Sequence, residues 1–131
     1  MAFYNARKHT YRFTPVSYTA NETKAVGNVD EGDLITHVFC RTEVVYNGGG
    51  TDAIVTFGDG GDVDRYILAG DVDETTVGWY AGTGGTGSDS LLIGEHVYTA
   101  ADTVDFVFTA NTSGSRTTGE SLIVYHKAKV F

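Results

Sequence analysis

The chain has 131 residues, with 17 acidic and 9 basic side chains and a formal net charge of −8. This length allows one domain with its own core, and the negative charge argues against general binding to nucleic acid, whose phosphates attract cationic surfaces. Cys40 is the only cysteine, which excludes an internal disulfide. The sequence has no secretory signal pattern and no run near the roughly 20 apolar residues of a membrane helix, so we expect a soluble product made in the cytoplasm.

The N-terminal part differs from the rest in charge and in aromatic content. Residues 1–24 carry four bases and one acid, a net of +3, whereas the remainder carries five bases and sixteen acids, a net of −11. We therefore divide the chain into an N-terminal arm, 1–28, and a β-sandwich domain, 29–131. Residues 10–13 and 16–19 are predicted as short edge strands broken at Pro15, which cannot donate to a ladder.

Two interpretations of the arm stay open: a frayed first strand, or a segment that lies on another subunit. Such asymmetry of charge is typical of parts that face different surroundings. Large aromatic and basic side chains suit an interface. The residues that we expect to contact a partner are Phe3, Tyr4, Arg7, Lys8, Tyr11, Arg12 and Phe13.

The longest alternating pattern runs from Leu34 to Tyr46. Every even position in this stretch holds a residue able to sit in a core, which predicts a long strand with one buried face. Residues 47–50 read Asn-Gly-Gly-Gly and can reverse the chain. Since residues 53–57 then alternate again, the pattern predicts a long hairpin.

Shorter strand patterns follow. We expect brief strands at 65–68, 77–80, 91–93 and 96–98, and period-two strands at 103–109 and 121–131. In the last strand, Leu122, Val124, Ala128 and Val130 are predicted to share the core face. No segment of ten residues has a helical period. The sequence therefore predicts an all-β, single-domain β-sandwich of Greek-key or jelly-roll type, with about eight strands and with 34–46 and 121–131 at central positions.

Two stretches resemble calcium sites in part. Residues 84–92 match one copy of the calcium-binding nonapeptide of β-rolls, but that site needs stacked repeats and the chain has no second copy. Asp59, Asp62 and Asp64 fall within one turn, where carboxylates more often bond their own backbone. We expect no metal or cofactor.

The sequence gives no pattern for catalysis. The four histidines lack ligand spacing, and Cys40 lies on the predicted apolar face of a strand, so it is interpreted as a small core residue. A nucleophile elbow, a phosphate loop and a dinucleotide fingerprint are all lacking, so we expect no enzymatic activity. Trp79 and Tyr80 can form a sugar-stacking platform, although such a pair is more often core or interface.

Residues 29–129 resemble the head decoration, or cement, proteins of tailed bacteriophages, which have a β-sandwich or jelly-roll fold. The resemblance lies in short phrases at residues 32–46, 53–59, 64–66, 97–104 and 118–125. It implies a structural virion protein on the outer capsid surface that fastens neighbouring capsomers. Its partners would be the major capsid protein and its own copies in a homotrimer, with no nucleic acid or membrane. The alternative is a carbohydrate-binding or host-adhesion module of a phage tail or fibre.

Overall fold

The computed structural model describes residues 10–46, 53–84, 96–110 and 118–130, which form seven strands and no helix. The strands are β1 (Thr10–Tyr18), β2 (Glu22–Val29), β3 (Asp33–Val44), β4 (Ile54–Asp59), β5 (Gly78–Ala81), β6 (Asp102–Thr109) and β7 (Gly119–Lys129). One antiparallel sheet has the order β1-β7-β3-β5 and the other β2-β6-β4. The predicted all-β sandwich is confirmed, with seven strands in the described part, and the Greek-key or jelly-roll assignment stays a prediction.

The core lies between the two sheets and is rich in aromatic rings. The Tyr18 ring packs 4.3 Å from Phe108, and Tyr46 packs edge-on at 4.8 Å from the same ring. The backbone of Gly119 lies directly against the Tyr18 ring, and an added Cβ at this position would come within 2.3 Å of that ring. The fully buried aromatic side chains are Tyr18, Tyr46, Phe57, Tyr66, Phe106, Phe108 and Tyr125.

The central position predicted for two strands is confirmed, but the predicted hairpin is wrong. β3 and β7 lie in the middle of the four-stranded sheet. β3 pairs with β7 and β5, whereas β4 pairs with β6 in the other sheet. The chain therefore changes sheets between β3 and β4. Alternation shows that each strand has one buried face, but it does not show which strand is the neighbour.

The boundaries of the smaller elements also differ from prediction. β1 runs through Pro15 without a break, and β2 occupies residues for which no strand was predicted. Two predicted strands are reduced to the isolated bridges Phe57↔Ile67 and Leu34↔Val97, and residues 91–93 lie outside the described part. Residue 29, the predicted start of the sandwich, is the last residue of β2, and sheet pairing already begins at Thr10.

Irregularities in β3 change the predicted alternation at both ends. The register with β7 shifts between Ile35 and His37 and again between Thr42 and Val44. As a result Ile35 is buried, although it holds an odd position, and Val44 is 45% exposed. A β-bulge adds one residue to one strand and so reverses the faces beyond it.

Candidate interaction surface

The outer face of the four-stranded sheet carries two rows of mostly apolar side chains. Directly opposed residues in an antiparallel pair project to the same face. One row consists of Phe13, Val124, Phe39 and Ala81, and the next of Pro15, Leu122, Arg41 and Trp79. Each row crosses all four strands. We call these eight residues the sheet face.

The largest side chains of the sheet face are exposed to solvent. Phe13 is 63% exposed, Trp79 54% and Phe39 40%. An aromatic side chain offers about 150–250 Å² for burial, so these three alone expose roughly 300 Å². Contiguous apolar patches of this size on a soluble protein are often functional. The sheet face is therefore the strongest candidate for an interaction surface in the described part of the chain.

Charged groups lie within and beside the sheet face. The Arg41 guanidinium lies 5.6 Å from the centroid of the Trp79 ring, which is cation–π geometry. Its Nε is 3.3 Å from an oxygen of Glu43, so this cation already has a carboxylate partner. At the next register position Glu120 accepts a 3.3 Å hydrogen bond from the Ser17 hydroxyl.

Two histidines extend this side of the sheet beyond the aromatic rows. His37 and His126 face each other across β3 and β7 with ring centroids 6.0 Å apart. The Thr36 hydroxyl is hydrogen bonded to Nδ1 of both rings. His37 is exposed and His126 is buried. Both histidines are thus hydrogen-bonded strand residues.

The predicted three-aspartate turn is built around one buried carboxylate. Asp59 is 1% exposed, and it accepts hydrogen bonds from the backbone N–H groups of Gly61 at 3.0 Å and Asp62 at 2.9 Å. Arg65 Nε donates to it at 2.6 Å and the Tyr98 hydroxyl at 2.8 Å. Burial by itself would raise the pKa of Asp59, but the Arg65 and Tyr98 hydrogen bonds hold the pKa below its usual range.

This arrangement fits a structural aspartate better than a metal ligand. The interpretation that aspartate at this turn bonds its own backbone is confirmed by Asp59. Arg65 pairs with Asp59 and not with its chain neighbour Asp64. Among the described residues, no group of three or more His, Cys, Asp or Glu side chains is placed to hold a metal ion. The nonapeptide match at 84–92 lies outside the described part except for Gly84.

A cleft of 520 Å³ opens where the edge strands β1 and β2 meet. Arg12 lies opposite Tyr125, whose ring is buried, so Arg12 is on the side of β1 that faces this cleft and not on the sheet face. Lys127 and Asp30 also line the cleft. β2 approaches β7 so closely here that a Cβ on Gly27 would lie 1.9 Å from the Tyr125 hydroxyl.

The residues predicted to contact a partner are only partly described. Phe3, Tyr4, Arg7 and Lys8 lie outside the described residues, and Tyr11 is placed by its backbone alone, opposite His126. Arg12 and Phe13 are both exposed, but adjacent strand residues project to opposite sides. Only Phe13 therefore belongs to the sheet face.

Trp79 and Tyr80 do not form one sugar-stacking platform, in keeping with the expectation that such a pair is more often core or interface. Trp79 projects outward, whereas Tyr80 packs against the core and its hydroxyl donates to the Thr76 carbonyl at 2.9 Å. The interpretation of Cys40 as a core residue is confirmed, since the side chain is fully buried. Burial raises the pKa of the Cys40 thiol to about 12, which leaves it protonated at neutral pH.

Sequence reasoning missed the apolar residues of the sheet face that lie on β3 and β7. Phe39 occupies an odd position in the alternating stretch. A large apolar residue at such a position indicates that the second face of this strand also carries apolar side chains. Leu122 and Val124 were assigned to the core; Val124 is indeed buried, at 8% exposure, but neither residue belongs to the core cluster, which Ile123 and Tyr125 of the alternate positions join instead. Because both faces of β7 are largely apolar, periodicity does not distinguish them. The described residues contain no helix able to cross a membrane.

Comparison with known proteins identifies the fold. No protein-family model and no curated protein sequence matches the chain. A chain of the cyanophage Pam1 capsid asymmetric unit is similar, with TM-score 0.67 and 15% identity over 92% of this chain and 84% of that one. A chain of the acid-stable capsid of Helicobacter pylori bacteriophage KHP30 gives TM-score 0.61 and 10% identity over 92% and 89%. A chain of the Ralstonia phage GP4 capsid gives 0.62 and 14% over 90% and 83%. The protein thus has the fold of chains found in three phage capsids.

Proposed function

We propose that this protein is a non-enzymatic decoration, or cement, protein that binds the outer surface of a phage capsid and fastens neighbouring capsomers. The observation that carries the proposal is the shared fold, which extends over nine tenths of the chain in structures of three phage capsids. Its location is then the virion, and its partners are the major capsid protein and further copies of itself, as a homotrimer.

The sheet face supports a binding role. Its three exposed aromatic side chains provide the apolar centre that interfaces use, and the charged groups at its margin provide a polar rim. Many copies attached to one particle gain effective concentration, so modest contacts at each copy are sufficient for stable attachment. Chemistry is not required for this function.

The N-terminal arm, residues 1–28, is proposed to take part in the same contacts. Phe3, Tyr4, Arg7 and Lys8 precede β1, and Tyr11 and Phe13 continue the chain along the edge of the four-stranded sheet. A basic arm that crosses to an acidic neighbour would offset repulsion between bodies of net −11. Arg12, the remaining predicted contact residue, would meet the partner from the side of β1 that lines the cleft.

A binding experiment with empty capsids tests the proposal. Purified protein is added to capsids assembled from the major capsid protein of the same phage, and co-sedimentation and electron microscopy measure occupancy. We expect saturable binding at regular surface positions and a higher temperature of capsid disruption. Capsids with an unrelated lattice serve as the control and should not bind the protein. Failure to bind, together with selective binding on a glycan array, would favour the alternative adhesion module, for which exposed Trp79 is the candidate contact.

A further inference from the structure

We propose that the sheet face is the seat for residues 1–9 of a second copy of the chain, so that copies are joined by donated N-terminal segments. This inference rests on the proposed function, because it names one contact between copies of a protein that assembles on a capsid. It concerns association between copies in solution, which is measured without a capsid.

The position and length of the segment fit this seat. The described chain begins at Thr10, opposite Lys127, on the edge strand of the same sheet. Nine extended residues reach about 30 Å at roughly 3.3 Å per residue, whereas four strands at about 4.8 Å spacing span only about 14 Å. Residues 1–9 would need a tight reversal to lie back on the sheet of their own chain. Gly and Pro favour such a reversal, and the segment contains neither. A neighbour is the more accessible recipient.

The chemistry of the segment complements the seat. Phe3 and Tyr4 are aromatic anchors of the kind that dominate interface energies, and they would meet exposed Phe39 and Trp79. Aromatic side chains also provide contact area at low cost in conformational entropy.

Charge complements the apolar contact. Arg7 and Lys8 give the segment two cations and no acid. At the margin of the seat, Glu43 is paired with Arg41, whereas Glu120 has no cation partner among the described residues. Cations donated by a neighbour would therefore meet a carboxylate that otherwise adds to repulsion between copies.

The edge of the sheet is a poorer site than its face. Pro15 lies in the middle of β1 and brings no N–H to the outer edge. The carbonyl of Ser17, which has the same orientation two residues later, already accepts a hydrogen bond from Lys24 of β2. Addition of a strand along this half of β1 is therefore blocked. Docking through side chains on the sheet face avoids both obstacles.

A complementation experiment tests the inference. One variant lacks residues 2–9 and keeps the seat; the other carries Phe39→Ser and Trp79→Ser and keeps the segment. Each alone is expected to associate at least about 30-fold more weakly than the full chain, the loss typical of a removed anchor. Mixed at equal concentration, the two should form a one-to-one complex in sedimentation velocity. Circular dichroism confirms that both are folded.

A matched control separates the sheet face from general surface polarity. Ile54→Ser with Val107→Ser makes the same kind of change on the outer face of the three-stranded sheet, where these residues are half-buried neighbours of the β4–β6 ladder. This control should associate like the full chain.

We also expect the complex to weaken between 0.05 M and 0.5 M NaCl, because the Debye length becomes about threefold shorter and the charge contacts are screened.

Three results would overturn the inference. The variant that lacks residues 2–9 could associate as strongly as the full chain, the mixture could show no complex, or the control could lose association equally. Capsid binding of the same variants is measured separately. A chain that binds capsids but does not complement overturns this inference alone, whereas one that complements but does not bind capsids overturns only the proposed function.

Discussion

Two buried carboxylates, Asp59 and Glu74, have opposite electrostatic surroundings. Asp59 is enclosed by the Arg65 guanidinium, the Tyr98 hydroxyl and two backbone N–H groups. Glu74 is 7% exposed, and burial together with the nearby Asp73 charge raises its pKa, although its own backbone N–H acts in the other direction. The charged form is therefore favoured at the first site and disfavoured at the second.

Replacement of Asp59 should destabilise the fold. Asp59→Asn removes the charge that Arg65 faces, and breaking a buried pair typically costs several kcal/mol; because Arg65 is partly exposed, we expect about 2–3 kcal/mol at pH 7. The folded-state pKa of Asp59 is lowered, so this stability is present above the unfolded pKa of about 3.9 and is lost as pH falls below it. Urea denaturation at pH 7 and pH 3 measures both effects.

The exposed residue Asp30 provides the control for this change. Asp30→Asn removes the same charge from a solvated position and should alter the free energy of unfolding by less than about 0.5 kcal/mol. Equal effects of the two variants would contradict the structural role of Asp59.

Replacement of Glu74 should have the opposite sign. Glu74→Gln removes a charge that is costly when buried, and we expect the unfolding temperature at pH 7 to rise by about 3 °C. The folded-state pKa of Glu74 is raised, so the wild-type chain regains this stability as pH falls through that pKa towards the unfolded value of about 4.3. The advantage of the variant should therefore vanish near pH 4. Exposed Glu31→Gln, measured by calorimetry beside it, should show no rise; a destabilised Glu74→Gln would contradict the prediction.

At the scale of elements, the structure separates two parts of the N-terminal region. Residues 10–18 form β1, and Val16 and Tyr18 within it are buried core residues. Deletion of residues 2–9 should leave the unfolding temperature within about 2 °C of the full chain. Deletion of residues 2–19 should abolish cooperative unfolding, because it exposes one side of β7 and removes a core ring. Thermal melts followed by circular dichroism distinguish them, and equal stability of both truncations would show that β1 is dispensable.

The edge of β1 gives a prediction about unwanted association. Pro15→Val supplies the missing N–H and a strand-favouring side chain at the outer edge of β1, which leaves the exposed Lys24 bond to the Ser17 carbonyl as the one remaining obstacle to strand pairing between copies. We expect time-dependent light scattering at concentrations where the wild-type chain stays clear. Ser17→Val adds similar apolar area without a new donor and should remain clear. Identical behaviour of the two variants would mean that Pro15 does not guard this edge.

The sequence was most informative where one face of a strand is apolar and the other polar. The long pattern at 34–46 and the one at 103–109 predicted β3 and β6, and the bulges in β3 were hidden because no residue type marks them. β2 was missed because Lys24, Gly27 and Asn28 are typical of loops. Its strand form depends on pairing with β6, which lies about eighty residues further along the chain.

The candidate site was predictable only in its parts. Phe13 was expected to contact a partner, and Trp79 was considered for an interface. Their membership of one face depends on the order β1-β7-β3-β5, which no local pattern contains. The Asp59 network likewise depends on Tyr98, 39 residues away. Long-range pairing, not composition, assembles these groups.

At the scale of the whole molecule, the distribution of charge predicts opposite responses of stability and association to salt. The remainder of the chain after residue 24 has a net charge of −11, so its carboxylates repel each other within one copy. Screening should raise the unfolding temperature of the variant that lacks residues 2–9 by about 2–4 °C as NaCl increases from 0.02 M to 0.3 M. Association of the full chain should weaken over the same range. Calorimetry and sedimentation measure the two responses, and a shared sign would contradict this division of charge.

The central position of β7 determines when the four-stranded sheet can form during synthesis. β7 is the last of the seven strands to leave the ribosome, yet it supplies the partners of both β1 and β3. Until it emerges, β1 has no neighbour in its sheet, and the two rows of the sheet face lack Leu122 and Val124. An interrupted translation product therefore carries the aromatic residues but not the surface that they form. Assembly through this surface would therefore incorporate chains that contain β7 and exclude fragments that lack it.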